Sequence, residues 1–254
     1  MIIDSYNLVW RGEPDSALYQ FRNDLPVDAL LASMDAAGID EAIISNFEGG
    51  HDATHDFLCE TLDVHHQRLH GLAHVNPIKP NAPDELRALA RGHHFIGIKL
   101  HPPGFGYNVA SHSLLDRIFE VCAEERLMVF GHSLAEAAAM PLAYEEMARS
   151  FPTVNFVIQH MGFLAGLEEA CYCAARTPNL YLESSAVPQR DIAKGIQEAG
   201  AEKVLYGTAW PANDHDLAQE AARRACNGDA GAARLVLGEN LARLLADSGS
   251  PSRQ

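Results

Sequence analysis

The chain has 254 residues, of which 47% are hydrophobic and 21% charged, and its formal net charge is -15. Such a chain can bury one substantial core, and its ordinary balance of apolar and charged residues excludes a disordered or fibrous protein. The negative charge repels phosphate backbones and anionic lipid surfaces, so no nucleic acid and no membrane is expected as a principal partner.

Short β-rich runs alternate with longer helical patterns from one end to the other. Strands are predicted over Ile2 to Leu8, Glu41 to Ser45, Leu69 to His74, Phe95 to Leu100, Leu127 to Gly131, Asn155 to Gln159, Asn179 to Glu183 and Val204 to Tyr206. Helices are predicted over Val27 to Ala37, Thr54 to His65, Asp84 to Arg91, Ser113 to Glu125, Ala135 to Ser150, Phe163 to Ala175, Gln189 to Glu198 and from His215 onward. Asp84 is placed to cap its helix, and Gly38 and Gly200 fall where helices should stop. Strand and helix in regular alternation call for a parallel sheet with crossover helices. Eight of each favour a single-domain α/β protein, a closed (β/α)8 TIM barrel over residues 1–246, with a disordered tail over 247–254.

Five cysteines, Cys59, Cys122, Cys171, Cys173 and Cys226, form no zinc or disulfide pattern and suit a reducing compartment. The first residues show no basic stretch followed by an apolar run, and no segment approaches about 18 consecutive apolar residues. A soluble, cytoplasmic protein is expected, working alone or as a homodimer on a small-molecule substrate.

In a barrel the chemistry sits at the carboxyl ends of the strands. Strand four ends Lys99-Leu100-His101, which puts Lys99 and His101 on one side; strand five ends at His132, strand six at His160, strand seven at Glu183, and strand eight runs into Trp210. A histidine can accept or donate a proton near neutral pH, so His160 and His132 are the candidate catalytic residues. Both could equally be hydrogen-bonded, idle residues of the barrel mouth. Lys99 has three readings: a desolvated amine forming a Schiff base, a cation binding a substrate carboxylate, or a structural partner of Glu183. Tyr6, Trp210, Phe105 and Tyr107 could wall a pocket. His51 and His55 belong to a glycine-bearing loop beyond strand two, a candidate lid. His65-His66 and His93-His94 precede strands three and four and read as solvated surface.

The segments "MIID", "RLHGLAHVNP", "GIKLHPP", "VFGHS", "VIQHMG", "NLYLESSA", "VLYGTAWP" and "VLGENLARLL" occur in that order. Together they resemble the amidohydrolase superfamily, in the branch of small single-domain barrels that includes lactonases and decarboxylases related to aminocarboxymuconate semialdehyde decarboxylase. The resemblance implies a metal held by two first-strand histidines, a fifth-strand histidine and an eighth-strand aspartate. Those places are occupied here by Tyr6, Leu8, His132 and Ala209. Leu8 and Ala209 carry no donor, and a protonated phenol is a poor ligand. A catalytic zinc site typically uses three protein ligands, so no metal and no other cofactor is expected at the usual place. His101, His132, His160 and Glu183 could instead form a relocated site. The resemblance implies a hydrolase, lyase or decarboxylase acting on a small oxygenated or carboxylated molecule. His160 and His132 would move protons, and Lys99, His101, Tyr6, Glu183 and Trp210 would bind or polarise substrate. The rival expectation is a catalytically inactive barrel that binds a ligand or steadies a partner.

Overall fold

The computed structural model describes residues 1–11, 25–46, 55–134 and 136–248. Its strands are β1 (Ile3–Leu8), β2 (Glu41–Ser45), β3 (Leu69–Ala73), β4 (Phe95–Leu100), β5 (Met128–Gly131), β6 (Phe156–Ile158), β7 (Leu180–Glu183) and β8 (Val204–Leu205). The helices are α1 (Val27–Ala37), α2 (Asp56–His65), α3 (Ala82–Gly92), the single turn α4 (Pro102–Phe105), α5 (His112–Glu125), α6 (Pro141–Ser150), α7 (Leu167–Arg176), α8 (Gln189–Ala199), α9 (His215–Ala225), α10 (Ala230–Arg234) and α11 (Asn240–Asp247). The strands form one parallel sheet in the order β1 to β8. The seam between β8 and β1 is closed by Ser5 N–H to Tyr206 O at 3.0 Å, Ala209 N–H to Tyr6 O at 2.9 Å and Leu8 N–H to Trp210 O at 2.9 Å. The chain is thus a single-domain (β/α)8 barrel, as the alternation predicts.

Alternation along the strands sorts the core into two shells. Ile3, Ile43, Leu72, Ile96, Met128, Val157, Tyr181 and Leu205 point inward and fill the lower barrel, where Leu241, Leu244 and Leu245 of α11 close the floor. Their outward neighbours, such as Ile44, Ile98, Ile158 and Leu182, pack under the helices. The lower barrel is therefore filled largely by apolar side chains, with His70 and Glu41 paired at 2.6 Å at its lower end.

The element bounds differ from the sequence expectation by a few residues, and the larger differences have local causes. Ahead of α6, Ala137–Ala139 form a separate 3-10 turn, because Met140 precedes Pro141 and is extended (φ -70°, ψ 146°). Helix α7 starts at Leu167 rather than Phe163, since Phe163 and Leu164 have positive φ. Asp84 does not cap α3: the helix already begins at Ala82, with Pro83 in its first turn, and Asp84 meets Arg87 at 3.2 Å. Gly38 does end α1, at φ 68°, and Gly200 follows α8. The C-terminal helical region is broken into α9, α10, a π-helical turn over Leu235–Glu239, and α11. His66 and His94 are not freely solvated: they are partly buried and stack at 4.3 Å, while His93 meets Asp63 at 3.0 Å. His51 with its glycines, and residues 249–254 of the expected tail, lie outside the described residues.

Candidate active site

The site begins at an irregularity in β1. Its register with β2 shifts between Asp4 and Asn7. The Asp4 carboxylate faces outward and accepts hydrogen bonds from Tyr6 N–H (3.0 Å), Thr208 N–H (3.0 Å) and the Thr208 hydroxyl. His215 of α9 joins this seam through Nε2, 3.0 Å from Asn7 Oδ1 and 3.3 Å from Asp4 Oδ2. Two oxygen acceptors around Nε2 place the ring proton there, so Nδ1 accepts from the Ser33 hydroxyl at 2.8 Å. With Asp4 and Asn7 held outward, Tyr6 and Leu8 turn inward.

There they pack with Trp10, Ala209 and Leu25 in a small apolar cluster at the barrel mouth. The three positions where the resemblance implies lost metal ligands, Tyr6, Leu8 and Ala209, therefore touch one another and their neighbours. Among the described residues, no group of three or more His, Cys, Asp or Glu side chains is arranged to hold a metal ion. The residues present do not fit a metal at the usual place, and His101, His132, His160 and Glu183 do not assemble a relocated one.

Beside the apolar cluster stands an arc of rings. His74 and His101 have centroids 6.1 Å apart, His101 and His132 4.5 Å edge to face, and His132 and His160 5.3 Å edge to face. Tyr6 continues the arc at 5.9 Å from His160, and Lys99 Nζ lies 3.8 Å from the Tyr6 ring centre. A cation over an aromatic face is favourable, more so away from water, and Lys99 is fully buried. His132 Nε2 meets Glu136 at 3.2 Å, and that hydrogen bond is the main reason the Glu136 carboxyl is held down at about 2.

Five of the expected residues, Tyr6, Lys99, His101, His132 and His160, are thus brought together. Glu183 is near them but not paired with Lys99: its carboxylate accepts from Ser185 N–H (2.6 Å), the Ser185 hydroxyl (2.7 Å) and His160 N–H (3.3 Å). Burial pushes its carboxyl up to about 7, although those three donors pull the other way. Trp210 is half-buried and stacks on His215, 6.1 Å away with planes 5° apart. Phe105 packs against His74 at 4.8 Å. Tyr107 is buried, which pushes its phenol up. His55 is no lid residue: it accepts His74 N–H at 3.0 Å through Nε2, faces Glu85 with Nδ1 at 3.4 Å, and burial lowers it to about 4.

Gln159 and Ser185 were missed by sequence reasoning. Gln159 follows inward Val157 and outward Ile158, so alternation sends it inward; it is fully buried, and neither amide atom finds a hydrogen-bond partner among the described residues. A buried amide left so is costly unless water or a ligand completes it. The strand period alone could have flagged it. Nothing in "LESSA" separates Ser185 from Ser184.

A closed parallel barrel with its polar side chains gathered at one end of the strands defines the (β/α)8 class. The amidohydrolase profile matches residues 9–246, and the chain belongs to that family. No curated protein matches the sequence significantly. Solved structures of similar fold include 5-carboxyvanillate decarboxylase from Sphingomonas paucimobilis, at 16% identity and a TM-score of 0.73 over 96% of this chain and 98% of that one. A probable 2-pyrone-4,6-dicarboxylic acid hydrolase from Acinetobacter baumannii superposes at 15% identity and a TM-score of 0.70, with the same coverage. 2,6-Dihydroxybenzoate decarboxylase from Rhizobium does so at 16% identity and 0.72, again over 96% and 98%. At these identities the likeness is one of fold.

Proposed function

We propose that the chain is an enzyme that hydrolyses or decarboxylates a small oxygenated or carboxylated organic molecule by imidazole acid-base catalysis, without a metal at the barrel mouth. The observation that carries this reading is the pairing of two features at one rim: an apolar cluster where a metal would sit, and beside it an arc of imidazoles of which His132 and His160 are buried.

In this reading His160 is the principal proton-transfer group and His132, steadied by Glu136, the second. Lys99 and His101 bind the substrate's anionic oxygen. The Tyr6 hydroxyl donates where a metal would otherwise polarise a carbonyl, Gln159 receives a polar edge of the substrate, and Trp210 forms wall. For decarboxylation, an imidazolium protonates the carbon bearing the carboxylate, and the carbon-carbon bond to that carboxylate then breaks to release CO2. For hydrolysis, a neutral imidazole takes a proton from water as it adds to an ester carbonyl, and the imidazolium returns that proton to the departing alkoxide oxygen as the acyl carbon-oxygen bond breaks. The chemistry named for the solved relatives, two decarboxylases of carboxylated phenols and a pyrone dicarboxylate hydrolase, supports both.

The partner in this reading is a small molecule. Net charge -15 disfavours nucleic acid and membrane, and five free thiols suit the cytoplasm. No helix among the described residues is long and apolar enough to cross a membrane. A homodimer is the oligomer to seek by light scattering.

The loss of ligands at Tyr6, Leu8 and Ala209 also motivates the rival, an inactive barrel that binds a ligand or partner. A panel of hydroxybenzoates, carboxyvanillate-like acids and pyrone carboxylates, followed by CO2 release and ring absorbance, separates the two. Turnover that falls by about 100-fold or more in H160N, and substantially in H132N, is expected. Full turnover by both variants, or an inert wild type that still binds these acids, overturns the proposal.

A further inference from the structure

We infer that Glu183 and Ser185 form a buried clamp that fixes His160 as its Nδ1–H tautomer, so that Nε2 is the unprotonated nitrogen of the ring. The inference rests on the reading of His160 as the principal proton-transfer group and assigns Glu183 and Ser185 as positioning residues.

The backbone at His160 needs such a clamp. His160, Met161, Gly162, Phe163 and Leu164 have φ of 58°, 51°, 73°, 36° and 34°, an unbroken run of positive φ in which four of five residues carry a Cβ. L-residues visit that region singly and at a cost, and a run persists only where its surroundings over-determine it. Glu183 supplies one such constraint by accepting His160 N–H at 3.3 Å.

The ring is held from the same carboxylate through one intervening residue. His160 Nδ1 lies 3.1 Å from the Ser185 carbonyl oxygen and 2.9 Å from Ser185 Oγ. A carbonyl can only accept, so Nδ1 must carry the proton. The Ser185 hydroxyl hydrogen is then free to go to Glu183 Oε2 at 2.7 Å, while Ser185 N–H donates to Oε1 at 2.6 Å. Three donors converge on two oxygens, which a carboxylate can accept and a carboxamide cannot. The direction of these bonds also removes a rival role for Ser185: its proton points at Glu183, away from a nitrogen that is already protonated, so it is not set up as a nucleophile with His160 as base.

The barrel wall leaves room for this arrangement. A Cβ built on Gly207 of the neighbouring strand end would fall 1.9 Å from Glu183 Oε1 and 2.8 Å from Ser5 Oγ.

Long-range 1H–15N NMR on the full chain with ring-labelled histidine, with His160 assigned through H160N, tests the clamp directly. The wild type should show His160 as one neutral tautomer with Nδ1 protonated. In S185A, which keeps the Ser185 carbonyl and the Glu183 contact to the His160 backbone but loses the hydroxyl that links the ring to the carboxylate, Nδ1 should stay protonated while the His160 ring 15N shifts move, and kcat should fall about tenfold with KM changed by no more than about twofold. S185T, which retains the hydroxyl, should restore the wild-type ring shifts. An Nε2–H tautomer in the wild type, or an unchanged His160 spectrum in S185A, overturns the clamp. The two readings fail separately: the expected spectra with full turnover in H160N would sink the catalytic role and leave the clamp, whereas an inactive H160N with an unaltered ring in S185A would sink the clamp alone.

Discussion

Asp4 holds the barrel seam from the outside. It accepts two backbone N–H groups and the Thr208 hydroxyl, and it faces His215 on α9. Replacing it by alanine leaves those buried donors without an acceptor, so D4A should lose on the order of 3 kcal/mol of unfolding free energy, read from the urea midpoint. Glu183 behaves differently because its carboxyl is raised, from 4.5 to about 7, by burial first and by Asp4 among the lesser causes. The folded state therefore binds this proton more tightly than the unfolded one. Its stabilising effect is complete below about pH 4.5 and is lost as pH rises through 7, a change on the order of 3 kcal/mol. Urea titrations at pH 5.5 and pH 8 should show about 2 kcal/mol of this fall in the wild type and a flatter dependence in E183Q. Glu136, held at about 2 by His132, changes charge in a lower window and does not overlap it.

At the scale of elements, two strand ends shape the site through residues without side chains. Gly131 ends β5 with the Tyr144 ring 2.0 Å from where its Cβ would be, and the Tyr144 hydroxyl donates to the His132 carbonyl at 2.7 Å. Gly207 leaves the space that the Glu183 carboxylate fills. G207A should cost about 1–3 kcal/mol in thermal or urea unfolding and should lower turnover as well, because the displaced carboxylate is the one that holds His160. A stability loss with turnover intact would show that Glu183 can move without consequence. The strands themselves were legible, since each apolar run is bounded by polar or turn residues and sits where predicted to within one or two residues. The β1 bulge was not legible, because it depends on Asp4 meeting Thr208, 204 positions away. The positive-φ turn after β6 was equally hidden: only one of its five residues is glycine, so local propensity argues against it.

For the whole molecule, the alternation of eight strands and eight crossovers was enough to give the closed barrel, and the barrel rule then points to the carboxyl ends of the strands. It also placed Tyr6, Lys99, His101, His132 and His160 together, because inward positions at neighbouring strand tips must converge. What the pattern could not supply was which polar groups satisfy one another. Charge alone pairs Lys99 with Glu183, yet Glu183 is taken up by Ser185 and His160, and the Gln159 amide carries no local motif. The floor is more predictable: Leu244 of α11 is buried among the inward side chains, and L244A should cost about 2–5 kcal/mol while leaving the geometry of the opposite end unchanged.

The proposed chemistry requires that this barrel work with side chains alone. Elemental analysis of the purified chain for Zn, Mn, Fe and Ni, paired with turnover before and after exhaustive dialysis against a chelator, tests that most directly. The prediction is substoichiometric metal throughout and turnover that survives dialysis. One equivalent of a transition metal per chain, with turnover lost on its removal and regained on its return, would contradict it.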